Sequence, residues 1–181
     1  MEKRPLPFDP IAEARRQWER HGWAAASQMA AVTSMMRAQQ WLISELNLLL
    51  KPFSLTFARY EALVLLYFTR SGALPLARIG ERLLVHPASV TNTIDRLEDA
   101  KLVRRIPHPS DGRATLAEIT DAGRQLVEQA TKELVAVGFR VDALPEAGLD
   151  TLTSLIGDLR VAAGDFAPED ERHREEKPGN A

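Results

Sequence analysis

The stretch that decides the fold is LPLARIGERLLVHPASVTNTIDRLEDAKLVRRIPHPSDGRATLAEIT, residues 74–120. A short helix pattern comes first. A second helix is predicted over 87–99, opened by Pro87 at the position where a missing N–H costs nothing. Residues 102–106 alternate as a strand does, and after a turn rich in Pro, Ser, Asp and Gly a β-branched run at 115–119 returns beside it. This order is helix-turn-helix plus β-wing, a shape that reads DNA.

The predicted helix over 87–99 has the two faces that a reading helix needs. At about 100° per residue, one arc is apolar: Val90, Ile94 and Leu97. The other arc carries the predicted DNA contacts: Ser89, Thr91, Asn92 and Arg96. Asn92 is the expected base reader because Asn pairs bidentately with adenine, and Arg96 suits guanine or phosphate. Thr91 projects partly sideways and so fits either a base or a phosphate. A solvated face on an ordinary core helix would look the same.

The positive charge of the predicted hairpin favours a role in DNA binding. Residues 101–113 hold four cations against one acid, a local net charge of +3. Arg113 is expected near the tip, where an arginine can enter a narrow minor groove. Asp111 would orient it, and Arg104 or Arg105 would lie near phosphate. A surface hairpin with an Asp111–Arg113 ion pair is the alternative, and both can hold because the acid can orient the arginine.

Residues 74–120 resemble the winged helix of MarR-type bacterial transcription regulators. The matching pieces are Val90-Thr91, Asp95-Arg96-Leu97-Glu98, Leu102-Val103-Arg104-Arg105, and Asp111-x-Arg113 followed by Ile119-Thr120. The resemblance covers about 24–163 and implies a mainly α fold (an α+β winged helix) flanked by long N- and C-terminal dimerisation helices. Two positions depart from the family. Asn92 stands where many members have arginine, which implies a different base preference. Lys101 stands where many have glycine, which leaves the turn geometry open.

Apolar periodicity predicts helices over 11–21, 23–50, 57–71 and 76–84, and Thr120 is a natural N-cap for another. The expected organisation is an N-terminal arm with a short helix (1–22), one MarR-like domain (23–164) and a disordered charged tail (165–181). Within that domain we expect a winged helix at about 54–119 and dimerisation helices at 23–50 and 120–164. After Thr120, apolar residues recur at intervals of three and four: Val127, Ala130, Leu134, Val137 and Val141. After Pro145 the same rhythm resumes at Leu149, Leu152, Ile156, Leu159 and Ala163. These terminal helices are too long and too apolar for one small winged helix, so we expect them to pack against the same helices of a second copy; a monomeric core is the alternative.

Composition narrows the class of protein. The 181 residues are 45% hydrophobic and 27% charged, which is typical of a soluble globular domain. No uncharged apolar run approaches a membrane span, and no secretory core follows the start, so we expect a cytoplasmic protein without membrane contact. Absence of cysteine excludes disulfides, thiol sensing and zinc-thiolate sites. The net charge of −2 argues mildly against binding to nucleic acid. Residues 165–177 alone carry six acids against three bases, so the rest of the chain is slightly positive and the objection is weak.

No catalytic pattern is present: there is no phosphate-cradling glycine loop, nucleophile elbow or His–carboxylate pair at metal spacing. His86 suggests a general base or, from its position before Pro87, the start of the reading helix. We therefore expect that the protein is not an enzyme and that it binds neither a metal ion nor a cofactor. The predicted function is a homodimeric, sequence-specific DNA-binding transcriptional regulator, a ligand-responsive repressor acting on double-stranded DNA at a pseudo-palindromic operator. The alternative is a winged-helix protein-interaction module that never binds DNA.

The resemblance also implies a small-molecule site between the dimer helices and the winged helix. The candidate lining residues are Trp18, Trp23, Arg37, Trp41, Arg59 and Tyr60. The arginines would suit an anionic or phenolic effector. Alternatively, the tryptophans pack the N-terminal helices and the arginines are simply solvated.

Overall fold

The structure is a computed structural model that describes residues 5–110 and 114–167. The described chain divides into two compact units, with the boundary between Val137 and Gly138. The first unit contains α1 (Pro10–Arg20), α2 (Ala26–Leu50), a 3₁₀ turn (Lys51–Phe53), α3 (Phe57–Phe68), β1 (Ala73–Pro75), α4 (Leu76–Leu83), α5 (Pro87–Asp99), β2 (Val103–Pro107), β3 (Thr115–Ile119) and α6 (Asp121–Ala136). The second contains a 3₁₀ turn (Gly138–Arg140) and α7 (Glu146–Ala162). Within the described ranges, no helix is long and apolar enough to cross a bilayer.

Side-chain caps begin four of the described helices, among them α1, α3 and α6. Asp9 accepts a hydrogen bond from the Ile11 N–H, which starts α1. Thr56 starts α3 in the same way. The predicted cap at Thr120 is confirmed, because its hydroxyl oxygen accepts from the Gly123 N–H at 3.1 Å. That hydroxyl also lies 2.9 Å from the Lys101 carbonyl oxygen, so the start of α6 is tied to the turn that leads into β2.

The strands form a three-stranded antiparallel sheet in the order β1-β3-β2, in which the hairpin of β2 and β3 is the wing. The return strand has the predicted bounds, and its Ile119 lies opposite Val103. Strand β1 was not predicted from the sequence. It has three residues, ends on a proline, and gains its pairing only from β3, where Leu74 lies opposite Ala117. Too short to show an alternating pattern, β1 is a product of tertiary contact.

The core of the first unit is built by its helices together with the strand β2. The largest fully buried side chains come from six different elements: Leu50, Leu63, Leu66, Ile79, Ile94, Leu97, Val103 and Leu134. The predicted apolar arc of α5 is confirmed, since Val90, Ile94 and Leu97 are all buried. Burial of each such side chain contributes about 1.5–3 kcal/mol. The opposite, polar arc of α5 is thereby turned to solvent.

One sequence-based assignment is wrong. Val127, Ala130 and Leu134 were expected to pack against a second copy, but all three are buried within the protomer, Leu134 completely. The reason is that α6 packs on α2 and α3 of its own unit. In α7, by contrast, an apolar row remains exposed: Leu152, Leu155, Ile156 and Leu159.

The turn after α5 is a Schellman motif without its usual glycine. The Leu102 N–H donates to the Leu97 carbonyl at 2.9 Å, and the Lys101 N–H donates to the Glu98 carbonyl at 2.8 Å. Lys101 adopts the left-handed φ of +60° that this motif requires. A side chain with a Cβ is strained there, and glycine is not.

We therefore predict that Lys101→Gly raises the free energy of unfolding by about 1 kcal/mol. Chemical denaturation followed by circular dichroism measures the change. Lys101→Ala is the control, because it removes the same charge but keeps the Cβ, and it should leave the stability near that of the parent. Equal stability of the glycine variant and the alanine variant would show that the left-handed turn is not strained.

Candidate nucleic-acid interface

The polar arc of α5 presents the four predicted contacts together. Ser89, Thr91, Asn92 and Arg96 are all exposed on this helix. The Thr91 hydroxyl donates to the Pro87 carbonyl at 3.1 Å. In this conformation Thr91 offers a lone pair and no proton, which suits a base amino group better than a phosphate. Among residues 5–110 and 114–167, Arg96 makes no salt bridge, so its guanidinium is available to an external anion.

The start of α5 is built around His86. Its carbonyl oxygen accepts from the Ser89 N–H at 2.8 Å and from the Val90 N–H at 3.2 Å. Its ring Nδ1 accepts from the Ala88 N–H at 3.2 Å. His86 is therefore the N-cap of α5, which confirms the prediction that it marks the start of this helix. Its ring stabilises the first turn.

The two arginines predicted to lie near phosphate have different surroundings. Arg104 stands directly across the sheet from Glu118 and pairs with it, although 67% of its side chain is exposed. Arg105 is only 26% exposed, and its guanidinium is held by two carboxylates of α5, Asp95 at 2.6 Å and Glu98. Arg105 thus joins the wing to α5, and its expected contact with phosphate stays a prediction.

Glu98 is the central group of this joint. One carboxylate oxygen accepts from the Arg105 backbone N–H at 2.9 Å, and the other pairs with the Arg105 guanidinium. The backbone hydrogen bond and then the guanidinium hold the pKa of Glu98 below its ordinary value. A lowered folded-state pKa means that this contact stabilises the fold above the ordinary carboxyl pKa and is lost as pH falls through the lowered one. The sequence shows Glu98 as part of the MarR-like motif Asp95-Arg96-Leu97-Glu98 but does not predict this role.

The tip of the wing lies outside the described residues. Asp111 and Arg113, the acid and the minor-groove arginine of the sequence analysis, both belong to this gap. At its edges the hairpin is closed by the His108 N–H, which donates to the Ala114 carbonyl at 3.1 Å. The roles expected of Asp111 and Arg113 stay predictions.

The six residues expected to line an effector site are not brought together in one protomer. Trp18 and Trp23 pack edge to face, with ring centroids 4.9 Å apart. Arg37 and Trp41 line a cavity beside Pro5 and Leu6 of the N-terminal segment. The remaining two lie elsewhere: Tyr60 is buried with its hydroxyl 2.9 Å from that of Thr131, and Arg59 lines a cleft between α2 and α3.

That cleft between α2 and α3 is lined largely by polar and basic side chains. Its volume is about 650 Å³, and its lining residues are Ser44, Asn47, Leu48, Lys51, Ser54, Leu55, Thr56 and Arg59. The lining has two cations and no carboxylate. Arg59 is held in place, since its Nη1 donates to the Ser54 carbonyl and its Nε to the Thr56 hydroxyl, each at 3.2 Å. Lys51 is exposed and has no salt bridge among the described residues.

Known proteins share this architecture. The family model described as MarR family matches residues 55–115. An uncharacterized HTH-type transcriptional regulator of Bacillus subtilis, YhbI, is 31% identical over 119 residues, which span 65% of this chain and 76% of YhbI. Among solved structures, Sco5413, a MarR family transcriptional regulator from Streptomyces coelicolor, has 54% identity and a TM-score of 0.73, covering 78% of this chain and 99% of that one.

A structure with DNA bound has the same fold. Sco3205, a MarR family transcriptional regulator from Streptomyces coelicolor in complex with DNA, gives a TM-score of 0.68 at 22% identity. The match covers 82% of this chain and 92% of Sco3205. At that identity the likeness concerns the fold alone. The identity to YhbI and Sco5413 is higher and, with the family match over the winged helix, it shows that the chain belongs to the MarR family, whose members are DNA-binding transcriptional regulators and not enzymes.

Proposed function

We propose that the protein is a homodimeric, sequence-specific regulator that represses at a pseudo-palindromic operator and releases it when a small anionic molecule binds. The exposed polar arc of α5 carries this proposal: Asn92 and Arg96, which has no salt bridge within the described part of the chain, lie opposite a buried apolar arc. A helix anchored on one side and polar on the other can enter the major groove and approach base edges. Repression follows most simply if the bound dimer occupies DNA that the transcription machinery needs.

Unpartnered apolar residues support the homodimer. On α7, Leu155 and Leu159 are 60% and 55% exposed. On α2, Val32 and Met36 are also exposed. We propose these two helices, within the ranges 23–50 and 120–164, as the dimerisation helices. A twofold dimer would present two copies of α5 to half-sites roughly 34–36 Å apart, one turn of the duplex.

A protein-interaction module with the same fold is the competing function. It would not need the cations that this chain carries on α5 and the wing, including Arg113 as a proposed minor-groove contact. Binding to duplex DNA that weakens steeply with salt supports the regulator, because each phosphate neutralised by a cation releases a counterion. Binding that does not depend on salt would favour the interaction module.

The first prediction tests the base reader. Asn92→Ala should cost about 1–3 kcal/mol at one base position and relax the preference there. The parent and the variant each select duplexes from a random pool, and the preferences are compared position by position. Gln125→Ala, which removes an exposed amide on α6, is the control and should change nothing. A uniform loss of affinity over all sequences would mean that Asn92 only positions the backbone.

The second prediction tests the dimer. Leu155→Asp should convert the dimer to a monomer and weaken operator binding, because an unpaired charge buried at an interface costs several kcal/mol. Light scattering at micromolar concentration gives the mass. Leu155 is exposed in the protomer, so the fold should survive, whereas a charge at the buried Leu134 would unfold it.

Ser154→Asp is the matched control for the dimer, because it places the same charge on the opposite face of α7. It should leave the dimer intact. A monomeric parent protein, or equal effects of the two substitutions, would contradict the proposed interface.

The third prediction tests the effector class. Benzoate should bind in the cleft between α2 and α3 and release the operator, while benzamide, which has a similar shape and no charge, should not. Lys51→Met should weaken benzoate binding roughly tenfold, the worth of one hydrogen bond to a charged group. Calorimetry measures the binding, and Arg70→Met, which removes a cation outside the cleft, is the control. Equal binding of benzamide would contradict an anion site.

A further inference from the structure

The backbone at the start of α5 has no amide left for an external ligand. Pro87 has no N–H, and the Ala88 N–H donates to His86 Nδ1. The N–H groups of Ser89 and Val90 donate to the His86 carbonyl oxygen. Each of these described N–H groups therefore has a partner within the chain. A phosphate that approaches this end of the helix must find its donor on a side chain.

The cap fixes the tautomer of the His86 ring. A backbone N–H can only donate, so Nδ1 accepts and carries no proton. In the neutral imidazole the proton is then on Nε2. The side chain is exposed, so the ring takes a hydrogen bond from the helix on one nitrogen and offers a donor to solvent on the other.

We infer that His86 anchors the protein to DNA, with its neutral Nε2–H donating to a phosphate oxygen at the edge of the groove that α5 enters. This inference rests on the proposed interface. Two effects favour the contact: the partial positive charge at the start of a helix attracts an anion, and a hydrogen bond received at Nδ1 polarises the ring toward donation from Nε2. A contact of this kind positions the reading helix without reading sequence.

Two substitutions separate the cap from the anchor. His86→Ser keeps a good N-cap oxygen but ends far short of Nε2. His86→Gln is a poor cap, but its amide nitrogen reaches about as far as Nε2. We expect the serine variant to keep the parental melting temperature and to lose DNA affinity. The glutamine variant should melt lower but bind DNA more tightly than the serine variant at a temperature where both are folded.

The measurement is fluorescence anisotropy on two duplexes of equal length, the operator that the parent selects from a random pool and a scrambled sequence. His86→Ser should bind both roughly tenfold more weakly, as expected for loss of one hydrogen bond to a charged acceptor. The slope of affinity against salt should not change, because a neutral donor displaces no counterion. The control is His21→Ser, since the His21 ring bonds to the Gln17 carbonyl oxygen at the end of α1, away from α5.

Several results would overturn the inference. Parental affinity of the stable serine variant would mean that the imidazole is only a cap. A loss restricted to the operator would make His86 a base contact, and a slope reduced by about one would make it a charged contact. If Asn92→Ala and Arg96→Ala also bind like the parent, the proposed interface itself has failed. If those two variants weaken binding and His86→Ser does not, only the anchor is wrong.

Discussion

The arrangement of the proposed DNA-reading surface depends on the burial of three side chains of α5. Ile94 is fully buried, and Val90 and Leu97 are exposed by only 2% and 1%. Because a helix is rigid, fixing this arc also fixes the direction of every residue on the opposite arc. A single polar substitution at Ile94 would therefore disturb more than the core: it would rotate or release the surface that carries Asn92 and Arg96. The same three buried side chains therefore stabilise the core and set the orientation of the polar arc.

Local sequence sufficed where the cause of the structure is itself local. The bounds of α5 follow from Pro87 at its start and from its apolar period, and the start of α6 follows from the Thr120 cap. Prediction failed where the deciding contact is distant in sequence. Strand β1 exists because β3 pairs with it, and the apolar row of α6 is covered by α2 and α3, which a period alone cannot reveal.

The proposed DNA interface shows the same difference between features with a local cause and features that depend on distant contacts. Periodicity placed Ser89, Asn92 and Arg96 on one exposed face, since that depends only on the helix. It could not foresee that Arg105 would be taken by Asp95 and Glu98, because the strand that carries Arg105 meets α5 only after the chain has turned. The left-handed Lys101 makes that turn, so a strained residue is tolerated where the wing is brought back against the reading helix.

The charges of α5 bear on how such a surface would discriminate between sequences. Asp95 and Asp99 lie on the exposed side of the helix with Asn92 and Arg96. Carboxylates facing DNA oppose the phosphates, and Arg105, 2.6 Å from Asp95, offsets one of them. The sequence-independent attraction of this surface is therefore weaker than its arginines alone would suggest. A surface of this kind binds firmly only where base contacts add to phosphate contacts, and two such surfaces related by a twofold axis would multiply that preference. A modest net charge is thus compatible with the sequence-specific binding that we propose for this surface.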